Sequence, residues 1–380
     1  MWNYIRVIPK ESRPNLLYAA RRDQGRGHLA QLTLVEETPD AKPQHLTVLS
    51  GGMGGAKFLQ GLLYAIRTGA LPGVGTDAHV KVIANTCDDW WVHGLKVCPD
   101  LDTVMYTLGD GIDLERGWGR REESWSAKAE LEAYGVEPTW FGLGDRDIAT
   151  HLVRTQMLDA GFPLSSVTQA LCRRWLEPVY GEQVTLLPMT DDRVETHVAV
   201  ADAEAASGKR VMHFQEYWVR LRAQVPAENV VFVGLDSSTP APGVLGAITG
   251  ADVVILPPSN PVVSVGTILG VPGVREAIRA TSARVVGLSP IVGASHVRGM
   301  AEQMLNAIGV EVSAAGVGLN YGARANGGVL DGWLVDTRDA DQLDRLRAAG
   351  IDAAAVPLMM TDHDATAAMA AAALDLVSGR

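Results

Sequence analysis

Apolar positions fall into short continuous runs separated by amphipathic stretches, and from His45 onward they repeat as strand, turn, helix. Leu46–Ser50, Val253–Leu256 and Arg284–Leu288 are apolar runs of strand length, Val80–Ala84 reads as a second strand, and further strands are expected at 184–188, 194–200, 230–234 and 329–335. Runs of this kind, unbroken by polar alternation, belong to strands covered on both faces. Helical spacing begins near Ala56 and continues through FLQGLLYAI. It returns at Asp100–Leu108, near 339–348 and after Thr361. Asp100 and Asp102 stand in the first turn of their helix, where the dipole favours negative charge. Residues 115–180 are rich in Trp and charge with helical periodicity, and read as a helical subdomain inserted after the second strand–helix unit. The pattern predicts an α/β fold with a mainly parallel sheet covered on both faces, in which ligands sit beyond the carboxyl ends of the strands.

Composition agrees with a globular protein carrying a sizeable core: 380 residues, 47% apolar and 20% charged, with mean hydropathy +0.07. The net charge of −11 and pI near 5.3 argue against nucleic-acid and anionic-membrane partners. They leave room for a phosphorylated small molecule, because a local nest of amides or a metal overrides the global field. Cys87, Cys98 and Cys172 form no CxxC and no Cys/His cluster, so neither a disulfide framework nor a zinc site is indicated. No apolar run approaches a bilayer span, and a cytoplasmic location is the expectation. Residues 1–44 differ from the rest in carrying a net charge of +2, with no signal-peptide hydrophobic stretch. They are expected to be an extension given no chemistry, with 45–380 as a single domain.

Chemistry-bearing motifs fall at the predicted strand ends. SGGMGGAKF (Ser50–Phe58) follows the first strand and opens a helix. Gly51, Gly52, Gly54 and Gly55 let the backbone approach a ligand and point amides at a helix N-terminus, where Lys57 adds a cation. It is neither a Walker loop nor GxGxxG, and a turn needed only for packing is the alternative. NTCDDWWVHG and VCPDLDT place Asp88, Asp89, Asp100 and Asp102 within fifteen residues. Such carboxylates suit Mg²⁺, which takes one or two of them together with substrate phosphates. Capping and charging a helix start is the plainer role for the last two. GLGDRD and PMTDD read as polar turns or internal ion pairs. PPSNPVVSVGTIL sets Ser259 and Asn260 between prolines, a rigid turn able to hold a phosphate or nucleoside, and GLSPIVG with Ser289 repeats it one strand later. Nine tryptophans, among them Trp90, Trp91, Trp118 and Trp125, could stack on a flavin-like ring or simply pack. His93, His151, His197 and His296 show no catalytic or metal spacing and read as structural.

These motifs, with CPDLDTVMYTLG, GLGDRDIATHLVRTQM, HFQEYWVR and LSPIVG in the same order, resemble the 2-phospho-L-lactate transferase family, and within it the actinobacterial phosphoenolpyruvate transferases. The resemblance runs from about Leu46 to the C-terminus. Cys87 departs from it, since the family usually has Gly or Ala before the acidic pair. It implies a Rossmann-like three-layer αβα fold, a homodimer and Mg²⁺ dependence. The implied reaction joins an enolpyruvyl or lactyl phosphate, carried on a guanosine diphosphate-linked donor, to the ribityl hydroxyl of the deazaflavin Fo. The products are dehydro-F420-0 or F420-0 and GMP. On this resemblance Asp88, Asp89, Asp100 and Asp102 hold magnesium, with Asp88 or Asp89 also orienting the hydroxyl. Gly51–Gly55 and Lys57 hold phosphate, and Ser259, Asn260 and Ser289 line the guanosine side. Two other readings remain: a non-catalytic nucleotide-sugar-binding regulator of the same superfamily, and a dinucleotide oxidoreductase. Asn85 argues against the second, which wants an acid at the end of strand two.

Overall fold

In the computed structural model, which describes residues 44–293, 295–296 and 300–378, successive residues of each central strand enter two different cores. The extension expected over 1–44 falls outside the described residues but for Gln44, and so does the side chain of His296. Within β1 (His45–Ser50), Leu46 and Val48 face one helical layer while Leu49 faces the other. Val254 and Leu256 of β9 (Val253–Leu256) likewise oppose Ile255. The period-two geometry of a strand therefore makes both faces apolar.

The main sheet adds β2 (His79–Ala84), β5 (Val184–Pro188), β10 (Arg284–Leu288), β13 (Gly332–Val335) and β14 (Asp352–Ala355). Its order is β14-β13-β10-β9-β1-β2-β5 and every pairing is parallel. Counted along the chain, strands one to three run one way from β1 and strands four to seven the other, the doubly wound Rossmann arrangement. One face carries α1 (Met53–Thr68), α2 (Pro99–Leu108) and α13 (His363–Ser378). The other carries α7 (Val244–Thr249), α8 (Val265–Gly270), α9 (Val274–Ala280), α10 (Ala301–Ala307), α11 (Ala314–Tyr321) and α12 (Leu343–Ala348). On that second face the Trp333 indole is fully buried and donates to the Ala314 carbonyl at 3.0 Å, so a large apolar group is buried with its one polar atom satisfied.

Four helices, α3 (Ser126–Ala133), α4 (Asp145–Asp159), α5 (Leu164–Trp175) and α6 (Glu177–Tyr180), lie between α2 and β5. The strands expected at 194–200 and 230–234 do not join the main sheet. As β6 (Glu195–Ala201) and β8 (Ala227–Val233) they form, with β7 (Lys209–His213), a separate antiparallel sheet ordered β7-β6-β8. Apolar runs announce strands but not their partners. Two small hairpin pairs complete the described strands: β3 (Trp90–Val92) with β4 (Leu95–Val97), and β11 (Ile291–Val292) with β12 (Ser295–His296). The first turns through His93 and Gly94, both at positive φ. Among the described residues no helix is long and apolar enough to cross a membrane.

Candidate active site

The order of the sheet reverses between β1 and β9, and the two motifs that leave these strands are packed into one another. The glycine-rich turn after β1 meets the Pro257–Asn260 turn after β9: the Gly51 amide donates to Ser259 Oγ at 3.3 Å. A Cβ on Gly54 would lie 2.5 Å from the Pro258 carbonyl oxygen, one on Gly51 2.4 Å from Ser264 Oγ, and one on Gly55 2.1 Å from Ser50 Oγ. None of the four glycines has a positive φ; Gly52, the N-cap of α1, sits at φ −71. They are glycine because there is no room for a methyl, not because of handedness. Gly52 and Gly54 face a cleft of about 780 Å³ with Lys57, Asp88, Asp100, Ser259 and Asn260, whereas Gly51 and Gly55 lie behind that lining. The first-turn amides of α1 have no intrahelical acceptors, and two of them belong to Met53 and Gly54, which line the cleft.

Gly54→Val is therefore expected to strike stability and binding together. The added side chain meets backbone, which cannot swing away, and overpacking of this kind costs about 1–3 kcal/mol. Chemical denaturation beside guanine-nucleotide calorimetry checks this, and unchanged stability would place Gly54 outside the contact described.

The four aspartates separate into two pairs. Asp88 and Asp100 face the cleft. Asn85 links their segments: its Nδ2 donates to Asp100 Oδ2 at 3.0 Å, while its Oδ1 accepts from the Cys87 amide at 2.9 Å and from Thr267 Oγ1 at 2.8 Å. The position that would hold an acid in a dinucleotide oxidoreductase is thus a structural hub. Asp88 Oδ1 is buried without a partner. Burial, then the charge of Asp100, lifts the Asp88 carboxyl well above the ordinary range. Burial lifts Asp100 to about 7, aided by Asp89 and opposed by Asn85 and the Gly52 amide.

Asp89 and Asp102 have cationic neighbours. Asp89 lies 3.4 Å from Lys96 Nζ and is absent from the cleft lining. Asp102 reaches the cleft edge but is ion-paired with the buried Arg154 guanidinium. Arg154 Nη1 also meets His151 Nδ1 at 3.0 Å, leaving His151 Nε2 3.3 Å from Asp147 Oδ2, and the Tyr106 hydroxyl donates to Asp147 Oδ1 at 2.6 Å. Burial works against the Arg154 charge, yet Asp102 and its other neighbours outweigh it and raise the guanidinium pKa. Among the described residues no three His, Cys, Asp or Glu side chains form a ready-made metal cage. The Asp88–Asp100 pair, lining the cleft and with Asp88 Oδ1 buried and unpartnered, fits a cation that completes its shell from substrate phosphates and water.

The other expected site residues take structural places. Ser289 Oγ donates to the Ile291 carbonyl at 2.8 Å and accepts from the Ile291 amide, so Pro290 rather than Ser289 lines the cleft. Asn260 Oδ1 accepts from the amides of Val262 and Val263, fixing its own turn. In GLGDRD, Asp145 accepts from Ser124, Ser126 and Ala127. In PMTDD, Asp191 accepts from Ser165 and Asp192 from Thr239.

Opposite the phosphate-like end, the cleft wall is aromatic. Trp118, Trp125, Trp140, Phe141, Phe214 and Trp218 contribute, with Lys128 among them. Arg116 lies over the rings of Trp118 and Trp125, at 5.3 and 5.0 Å. Trp140 is backed by Trp90, itself stacked on His213, with ring centroids 5.4 and 5.5 Å apart. Trp118 and Trp125 were visible in the sequence as candidates; Lys128, Trp140, Gln215 and the Leu358–Thr361 loop were not. HFQEYW alone carried a signal, since a polar residue amid aromatics is poorly explained by core packing.

A sequence model of the family described as 2-phospho-L-lactate transferase CofD matches residues 46–374. The phosphoenolpyruvate transferase of Streptomyces coelicolor is 62% identical over 331 residues, covering 87% of this chain and 97% of the relative. Those of Thermobifida fusca and Mycobacterium sp. (strain KMS) are 57% and 53% identical, each covering 87% of this chain and 97% and 98% of the relative. Among solved structures, protein BH3568 from Bacillus halodurans superposes with TM-score 0.52 at 18% identity, covering 88% of this chain and 99% of that one, a likeness of fold.

Proposed function

Since the chain belongs to the 2-phospho-L-lactate transferase family, we propose that it transfers a phosphoenolpyruvyl or phospholactyl group from a guanosine diphosphate-linked donor to the deazaflavin Fo. One observation carries the reading. Two carboxylates, Asp88 and Asp100, the first-turn amides of α1, Lys57 and the Ser259–Asn260 turn share a single cleft at the switch point of the sheet. Phosphoryl transfer asks for that combination: charge neutralisation and in-line placement rather than a covalent protein intermediate.

In the proposed reaction the ribityl hydroxyl oxygen of Fo attacks the phosphorus that carries the three-carbon acid. The P–O bond to the guanylyl group breaks, GMP leaves, and a phosphodiester remains. The Gly54 amide with Lys57 holds diphosphate oxygens, and Ser259 and Asn260 bound the nucleoside side. Asp88, which lines the cleft, orients the hydroxyl and holds its proton as the new bond forms. Mg²⁺, seated by Asp88 and Asp100, would supply neutralisation of the diphosphate charge. The aromatic wall offers faces for the deazaflavin ring. A homodimer and a cytoplasmic location belong to the same proposal, by way of the family.

Incubation with Fo and each donor, followed by mass spectrometry, tests the reading. A phosphodiester of Fo with release of GMP is the expected result. Saturable donor binding with no product under any donor would favour the non-catalytic regulator instead.

A further inference from the structure

The loop carrying Asp88 is held from behind by the small antiparallel sheet, which lies outside the doubly wound core. The Thr196 amide of β6 donates to the Cys87 carbonyl at 2.6 Å. One residue on, Gln215 Nε2 donates to the Asp88 carbonyl at 3.1 Å. Gln215 is itself buried, and its amide donates to His213 Nδ1 at 3.1 Å, at the end of β7. It opens directly into a π-helical turn, Glu216–Arg220, from which Trp218 and Val219 reach the cleft. Turns of that kind are uncommon and gather at functional sites. The two successive carbonyls fix the peptide planes on either side of the Asp88 Cα, and hence the direction in which its carboxylate enters the cleft.

We infer that Gln215 is a positioning residue: through the Asp88 carbonyl it sets the pose of the reacting carboxylate, tying the accessory sheet to the chemistry. The inference rests on the role proposed for Asp88. Without the Gln215 donor a buried carbonyl loses its partner and the loop is free to shift. A displacement near 1 Å at a reacting group costs up to about 100-fold in rate. Donor affinity should not change, because the phosphate cradle belongs to β1 and β9 and is untouched, and since Gln215 also lines the cleft, the KM for Fo tells whether it touches that substrate directly.

Gln215→Met keeps the shape and removes the donor; Gln215→Glu keeps a polar head but sets a carboxylate against the carbonyl, and it carries the same test if the first does not fold. Steady-state kinetics per folded enzyme, with Fo and the guanylyl-linked donor, are measured beside the melting temperature. The expected result is a kcat lowered between about 10- and 100-fold with both KM values within about twofold of wild type. Raised KM at unchanged kcat would make Gln215 a substrate contact, and a lowered melting temperature at unchanged kcat would make it merely structural; either overturns the inference. Asp88→Asn run in parallel separates the two levels. If it too retains wild-type turnover, the reading of Asp88 has failed rather than the clamp alone.

Discussion

Asp88→Asn and Asp100→Asn are each expected to lower turnover by about 10²- to 10³-fold while the protein remains folded, the scale of losing one preorganised electrostatic contact at a transition state. Asp88 is buried and Asp100 half-buried, both face the cleft, and among the described residues neither has a cation beside it to explain its presence. A fold does not gain stability by setting two unneutralised acids together at a partly dry site, so their counter-charge is expected from the ligand side. Stability should show the same logic. The folded-state pKa of Asp100, about 7, lies above its ordinary value of 3.8, so its contribution is fully present below the ordinary value and is lost as pH rises through the folded one. Unfolding of the cation-free protein should therefore become easier between about pH 4 and 7, and Asp100→Asn should flatten that slope. Denaturant melts across this range, with and without Mg²⁺ and GDP, read the effect. Wild-type turnover in either variant, or an unchanged slope in Asp100→Asn, would remove the pair from the mechanism.

Arg154→Met is expected to be the most destabilising single change near the site, at about 3–5 kcal/mol, because it leaves Asp102 buried without its cation. Arg154 is 2% exposed, ion-paired with Asp102, bonded to the Lys96 carbonyl and set against His151. Asp147, at the far end of the cluster, sits below the ordinary carboxylate range: burial pushes it up, but His151 and the Tyr106 hydroxyl outweigh that push. Each member is thus compensated by the next, and removing the central charge breaks several contacts at once. The double variant Asp102→Asn/Arg154→Met should recover a large part of the loss, since no lone charge then remains buried. Urea unfolding of the single and double variants gives the coupling. Additive losses would show that Asp102 and Arg154 do not act as a pair. The same cluster explains why Asp102 does not stand with Asp88 and Asp100: its charge is already neutralised within the protein.

Much of the architecture follows from local pattern alone. The strands β1 and β9 are continuous apolar runs, as is β10 after Arg284, which a sheet buried on both faces requires, and their parallel pairing follows from the helices between them. Glycines at 51, 52, 54 and 55 already allowed a close backbone approach, to a ligand or to packing neighbours, because a residue without Cβ lets other atoms come nearest the main chain. What they approach was not legible: the Pro258 carbonyl and Ser264 lie some two hundred residues away and meet the turn only because β9 pairs with β1. Four aspartates in fifteen residues looked alike along the chain. Their difference is tertiary, since Lys96 and Arg154 meet Asp89 and Asp102 while Asp88 and Asp100 are left toward the cleft. Likewise β6 and β8 carry strand patterns indistinguishable from those of the main sheet, yet pair antiparallel beside it and reach back to the Asp88 loop. Periodicity and glycine placement act within a few residues, so the sequence determines elements and their faces by itself. Charge compensation and close contact depend on which segments the sheet order brings together, so only the folded chain decides which of its acids are left for a ligand.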